Sequence, residues 1–396
     1  MKRPVFFFIL LFFSSGFIFS VDLGLHLNNK IEGENNIFTY NPSLTPWFSF
    51  NNDKGFSLYL SLLLSFKYIR TSGNGSWRNP EVLIPELTRF SANYRTDKGF
   101  FIEIGRIEYS DVLGFAASEL FDGVSAGFAT PKGNLRFSAY YTGFQYKETA
   151  KIIMTDNDSA NYGVQWDWSK FKYYFASRRV LAAVRWDMPV GKTSGLSAEV
   201  LAQFDANGDN TKLHSQYASA QMTFYPLSIL QVSGGLIFEM MQNEKKDFNL
   251  ALGVLAQLKL DIPSKATDWF GFTVKFTTGD SEKTLSGFTP VSSVQQGMIF
   301  QETLAGLLLL DANYNIKIIG RLFADLALRY FISTFNNPLY KGNLYGGELW
   351  ASFEWHPLDD IRLTLGGGVF LPVLGNAYPS GTEVMWKVTA CLTISF

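Results

Sequence analysis

Three histidines, His26, His214 and His356, are the only imidazoles in a chain of 396 residues. One of them has a neighbour that could act as a nucleophile: Ser215 follows His214 in Lys212-Leu213-His214-Ser215. A serine nucleophile needs its base oriented by a third group, which sequence adjacency does not supply. Cys391 is the single cysteine, which excludes an intrachain disulfide and a cysteine-built zinc site. Asn207-Gly208-Asp209-Asn210 matches half of a calcium loop but has no downstream Glu, and Asp156-Asn157-Asp158 reads as a solvated acidic loop. The expectation is therefore no catalytic residue, no metal site, no cofactor and no enzyme.

The charged residues have a more regular spacing. Many fall on the polar side of segments in which every second residue is apolar. On this parse Lys67, Glu103, Arg106, Arg136, Arg179, Arg185, Glu199, Glu239, Asp325, Arg329, Glu348 and Arg362 line an interior. Both signs occur in similar numbers, which suits a wetted wall better than a strongly ion-selective ring. The inward arginines could also donate hydrogen bonds to a polar or anionic solute. Tyr59, Tyr140, Gln203 and Tyr217 add ring and amide surface to the same side, where they could form a slide for sugars.

The elements that would carry these residues are strands. Val384, Trp386, Val388, Ala390, Leu392, Ile394 and Phe396 alternate with Met385, Lys387, Thr389, Cys391, Thr393 and Ser395. Successive strand side chains point to opposite faces, so one face meets apolar surroundings and the other water. The pattern recurs from Phe56 to Lys67, Leu135 to Thr142, Leu196 to Gln203, Arg321 to Tyr330 and Ile361 to Val369. These segments run about 10–14 residues, longer than ordinary globular strands and suited to crossing a bilayer at a tilt. Trp47, Trp186, Trp269 and Trp355 end apolar faces and are expected in an interfacial girdle. Eighteen strand candidates emerge, with sixteen as the alternative. Their connections alternate between short turns, such as Thr96-Asp97-Lys98-Gly99, and longer loops, such as Asn35–Leu44, Gln145–Lys172 and Gly279–Phe300. The fold expected is all-β, a single antiparallel transmembrane β-barrel over 21–396. Barrels of this size leave an aqueous lumen.

Composition agrees. Aromatics make up 16% and charged residues 17% of the chain, the formal charge is −1, and the mean hydropathy is only +0.04. That balance excludes a nucleic-acid binder and a bundle of spanning helices. Lys2 and Arg3, the apolar run Val5–Phe13 and the small residues up to Ser20 read as a secretory signal peptide over 1–20. The expected location is the outer membrane, with its lipid and small polar solutes as partners. The chain ends on Phe396 after an amphipathic strand, which resembles the signal that such proteins present to the barrel-assembly machinery.

Two passages resemble a known family. Ile104-Gly105-Arg106, then Asp111-Val112-Leu113-Gly114 and Leu120-Phe121-Asp122-Gly123-Val124, are similar to a stretch of alginate-export-type outer-membrane barrels. Gly347-Glu348-Leu349 through Trp355-His356-Pro357-Leu358-Asp359-Asp360 resembles their penultimate hairpin. The resemblance implies an 18-stranded porin-like channel for an anionic polysaccharide or another small polar solute. The Phe-rich composition is also similar to that of spirochaetal outer-membrane proteins. Within the first passage, Ser110–Leu120 could fold inward as a constriction, with Arg106 and Asp122 at its feet as an ion-pair tether. The function expected is a porin for passive diffusion. The rival readings are a long-chain fatty-acid-type transporter and a surface adhesin that uses the loops Gln145–Lys172 and Gly279–Phe300.

Overall fold

The computed structural model describes residues 19–71, 84–164, 166–208, 212–242, 248–280, 285–292, 294–336 and 340–396. The expected signal peptide lies outside these residues up to position 18; Phe19 and Ser20 already belong to the first strand. The first half of the chain forms β1 (Phe19–Glu34), β2 (Ile37–Asn52), β3 (Phe56–Ser65), β4 (Tyr68–Thr71), β5 (Ile84–Arg95), β6 (Phe100–Ser110), β7 (Ser118–Thr130), β8 (Gly133–Tyr141) and β9 (Arg179–Val190). The second half adds β10 (Ser194–Asp205), β11 (His214–Leu227), β12 (Leu230–Gln242), β13 (Phe248–Asp261), β14 (Trp269–Thr277), β15 (Leu307–Ile319), β16 (Leu322–Ser333), β17 (Leu344–Leu358), β18 (Ile361–Leu371) and β19 (Met385–Ser395).

Every pairing is antiparallel and, apart from β2 with β4 and β3 with β5, joins chain neighbours until β19 returns to β1, where Ser395 lies opposite His26. Phe396 completes the closure: its N–H donates to Leu25 O at 2.9 Å, and Leu25 N–H donates to Phe396 O at 3.1 Å. β2 pairs with both β3 and β4, so these two segments are one stave broken at Phe66-Lys67. The break faces Pro42, which has no N–H to give; Phe66 N–H reaches Pro42 O at 3.1 Å. Nineteen segments thus make eighteen staves, as the alternation and turn lengths predicted.

The outer face carries the apolar half of each alternation. Leu326, Leu328, Phe353, Trp355, Leu236 and Phe238 are all exposed there. Two expectations fail. The Asn35–Leu44 loop is a two-residue hairpin, with Glu34 paired to Ile37 and Asn35 at a φ of 51°. Asn tolerates that left-handed conformation, so 37–44, expected as loop, lies inside β2 instead. The tryptophan girdle is also only half right. Trp186 and Trp355 face out, whereas Trp47 stacks on the inward His26 and Tyr59, and Trp269 packs beside Gly271 under Lys259. The cause is strand parity: Phe48 and Phe270 take the outer positions next to them.

An arginine placed among these outer side chains must enter hydrocarbon. Leu328→Arg, in the middle of β16, is expected to lower unfolding free energy by about 2–4 kcal/mol in urea titrations of the lipid-embedded barrel. Thr364→Lys, on the inner face, is expected to change it by only about 0.5 kcal/mol.

Candidate functional site: the lumen and its inward loops

A cylinder of eighteen staves is too wide for its own side chains to fill. Here two connections fold into it from the end that carries the longer loops. The first, residues 111–117, winds around one carboxylate. Asp111 accepts the backbone N–H groups of Leu113, Phe115, Ala116 and Ala117 at 3.1, 3.3, 2.8 and 2.9 Å. Inner-face glycines make room for it: a Cβ on Gly235 would lie 3.2 Å from Leu113, and one on Gly253 2.8 Å from Phe115.

The second, the described residues of 278–306, is held by the wall. Glu239 on β12 accepts Thr289 N–H at 2.8 Å, and Tyr217 on β11 donates to Thr289 O at 2.6 Å. Glu348 on β17 accepts three consecutive amides, Met298, Ile299 and Phe300, at 3.0, 2.8 and 3.0 Å. Lys275 Nζ on β14 donates to Gln296 Oε1 at 2.9 Å. The two loops join where Val291 N–H meets Ala116 O at 2.6 Å and Ser118 N–H meets Ser292 Oγ at 2.9 Å. Phe115, Phe288, Val291, Ile299 and Phe300 are buried between them and the barrel, and Phe300 stacks on Phe370 with centroids 4.4 Å apart. Backbone buried inside a barrel needs partners as much as backbone in lipid does, and the wall carboxylates provide them.

A third connection, 142–178, lies at the same end. Its helix Asp156–Tyr162 starts on a capping box formed by Thr155 and Asp158. Asp158 also pairs with Arg179, which reaches Asp205 at 2.8 Å. The acidic run expected to be a solvated loop is therefore a helix cap and an ion-pair partner.

These loops redistribute the predicted lining. Arg179, Glu199, Glu239 and Glu348 point inward but are buried beneath the loops, with Glu199 accepting the Tyr109 hydroxyl. Arg329 bridges Glu348 at 2.8 Å and Asp311 at 3.6 Å. Arg185 faces in, half-exposed, and pairs with Asp187 at 2.9 Å. Arg136 lies over the Phe101 ring at 5.3 Å, and Glu103 sits among Arg89, Arg95 and Arg136. Asp325 faces the lumen between the outward Ala324 and Leu326, and Arg362 lines a cavity at the turn end. Lys67 is exposed in the break between β3 and β4.

Arg106 needs correction. It binds Asp122 through two bonds, at 2.8 and 2.7 Å, so the predicted pair exists. The pair faces outward, not into the lumen. Arg106 lies on the side of Ile104 and Phe90, and Asp122 on the side of Val124 and Tyr141. Phe144 O accepts a further Arg106 bond at 3.1 Å, and Tyr141, Phe144 and Tyr174 wall the outer pocket around the pair. The passage that resembles alginate-export-type barrels is thus a clasp on the outer wall. Its glycines meet across strands, Gly105 opposite Gly123, where a Cβ on either would lie 2.1 Å from a carbonyl oxygen. His214 and Ser215 are not brought together either: consecutive strand residues face opposite ways, and His214 Nδ1 accepts Asp205 N–H at 3.1 Å.

The apolar filling is lopsided. Strands β6–β13 and β15–β18 each give it at least one buried apolar side chain; β1–β5 and β19 give none among the described residues. Tyr140, Gln203 and Tyr217 are buried on the filled side. The arc from β19 through β1 to β5 keeps a polar inner face, including Asn28, Lys30, Glu32, Ser43, Tyr59, Arg89 and Lys387. Lys30 pairs with Glu32 at 2.6 Å, and Lys387 joins Glu32 at 2.5 Å and Glu34 at 3.5 Å. Cys391 faces this lumen and donates to Asn28 at 2.9 Å. His26, Lys30 and Trp47 were not singled out as lining residues, although each has the parity of an inward position next to Leu25, Ile31 and Phe48. Among the described residues no group of three or more His, Cys, Asp or Glu side chains could hold a metal.

If the Glu348 carboxylate holds the second loop, Glu348→Ala leaves three amides and Arg329 without it. Loss of one side of a buried charged contact costs about 3–5 kcal/mol. Chymotrypsin added to the folded barrel is expected to cut at Phe300 in this variant and not in the unchanged protein, with fragments read by mass spectrometry. Equal protection of both would show that packing alone seats the loop.

No protein-family model matches the sequence, and no curated protein matches it. Solved structures do resemble the fold. The outer membrane protein OpdK of Pseudomonas aeruginosa superposes with a TM-score of 0.60 at 11% identity, over 95% of this chain and 99% of that one. Pseudomonas aeruginosa OccK5 (OpdH) gives 0.59 at 8% identity over 95% and 98%, and OpdQ of the same organism 0.58 at 10% over 95% and 99%. OpdK has also been solved with vanillate. Identities this low speak for shared architecture alone: the chain is a single closed barrel of eighteen antiparallel staves.

Proposed function

We propose that this protein is an outer-membrane channel through which small polar solutes diffuse passively. The observation that carries this reading is the division of the lumen: an apolar filling hung on β6–β18 and a polar, partly exposed arc on β19–β5. An apolar outer belt and a closed backbone ladder suit the barrel to lipid. A polar inner arc suits it to water, and its paired charges of both signs oppose strong exclusion of either ion sign. No covalent step belongs to this reading. Residues 1–20 would direct export and then be removed. The exposed Phe396, at the end of the closing strand, would be read by the barrel-assembly machinery. The loops would face the cell exterior and the short turns the periplasm.

The cargo follows from the lumen and not from the family resemblance. The passage resembling alginate-export-type barrels builds the outer clasp, so it carries no information about a polyanion path, and the composition shared with spirochaetal proteins adds none. The adhesin reading loses one of its two contact loops, because Phe288, Val291 and Ile299 of 279–300 are buried inside the barrel.

Purified protein in a planar bilayer is expected to give discrete current steps. In liposomes it should permit swelling that falls as the test sugar grows. Absence of both steps and swelling would overturn the channel reading.

A further inference from the structure

On the polar arc, four side chains from four neighbouring staves form a continuous row. The His26 and Trp47 rings lie 6.1 Å apart with their planes 21° from parallel, and Trp47 and Tyr59 lie 6.2 Å apart at 16°. The Arg89 guanidinium then sits 5.6 Å over Tyr59. The row crosses β1, β2, β3 and β5 on the inner face, and none of its members belongs to the buried apolar filling. Trp47 reaches sideways over Gly24, the inward residue directly opposite it on β1. A Cβ there would lie 2.3 Å from indole Cε2, so the indole occupies the space of an absent side chain. Its Nε1 is covered by this placement and has no hydrogen-bond acceptor among the described residues. Burying an unpaired donor is costly and invites a reason beyond packing.

Beside His26 opens a cavity of about 440 Å³, lined by the short polar Asn28, Ser43 and Thr45 together with Leu63, His356 and Arg362. Asp359 and Asp360 also border it, and Asp359 is neutralised by Arg321 at 2.8 Å. The remaining Asp360 and Arg362 are of opposite sign. The surroundings therefore offer many hydrogen-bond donors and acceptors but little net charge, next to aromatic rings. An anion gains little in this cavity, although Arg89 at the far end of the row is a cation shared with Glu103. A sugar ring, with an apolar C–H face for stacking and a rim of hydroxyls for Asn, Ser, Thr and Arg, matches both halves.

We infer that His26, Trp47, Tyr59 and Arg89, with the adjoining polar cavity, form a stacking subsite for a neutral pyranose sugar passing through the lumen. The inference rests on the channel reading for its setting, and equilibrium binding tests it separately. Isothermal titration of the detergent-solubilised full chain with glucose and maltose is expected to show saturable binding. In bilayers the same sugars are expected to occlude the current in a concentration-dependent way. Trp47→Ala should weaken apparent affinity about tenfold, Trp47→Phe should retain most of it, and Gly24→Ala should reduce it by displacing the indole. Trp186→Ala, on the outer face, should leave it unchanged. Heat-modifiable electrophoretic mobility reports folding of each variant. Sugar binding without current would uphold the subsite and sink the channel. Current steps without sugar binding, binding indifferent to Trp47→Ala in a folded barrel, or occlusion by benzoate alone would each overturn the subsite.

Discussion

A backbone amide in hydrocarbon has no water to turn to, so a sheet can sit in a bilayer only when its first and last strands find each other. In this chain that meeting is the antiparallel ladder between β1 and β19, from His26–Ser395 to Glu34–Lys387. Once the ladder closes, each stave has an outer and an inner face, and the outer one must be apolar along its whole lipid-exposed length. That requirement produces the alternation from one end of the chain to the other. It also confines freedom of composition to the inner face and the connections, which is where function has to be built.

Closing eighteen staves creates a second problem. The space inside exceeds what inward side chains occupy, and a chain that enters it brings unpaired amides along. Carboxylates resolve this at three places. Asp111 gathers four amides of its own loop, Glu239 takes one from the second loop, and Glu348 takes three more. Charge-assisted bonds of this type are about twice as strong as neutral ones, so a few anchors fix long irregular segments. Arg329 and Lys275 complete the seat. Residues that look like pore charges from their spacing are here structural anchors, and the seated loops leave one arc of the wall polar.

The features legible in the sequence share one origin, the two-residue period of a strand. It identified the eighteen staves, most of their ends and the inward side of Glu103, Arg136, Glu348 and Arg362. Where the reading went wrong, the same period held the answer. Arg106 shares parity with Ile102 and Ile104, which face lipid, while Glu103 has the opposite parity; the two could not both line the lumen. Trp47 and Trp269 were placed in a girdle by residue type, although the outward Phe48 and Phe270 beside them had taken that side. The inward loops are different: the inward turn expected for Ser110–Leu120 is seen at 111–117, but what seats the loops was not legible. Nothing periodic marks 111–117 or 285–306; the second loop is held by Glu239 and Glu348, tens of residues away, and the first meets the second at Val291 and Ser292, over a hundred residues on. Such long-range seating has no local signature beyond inner-face glycines such as Gly235 and Gly253.

The lopsided lumen gives the aromatic residues two different tasks. On the filled side, Phe288, Phe300, Phe331 and Phe370 exclude water, and their rings meet edge to face and stacked as in any apolar core. On the open arc, His26, Trp47 and Tyr59 lie among Asn, Ser, Thr and charged neighbours and are not members of that core. Rings used for packing alone would gain more by joining the filled side, where their whole surface is covered. Holding them in a row on a wetted wall, one of them over a glycine with its N–H unpaired, sacrifices that gain. The arrangement makes physical sense when the uncovered ring surface is met by something that moves through the water beside it.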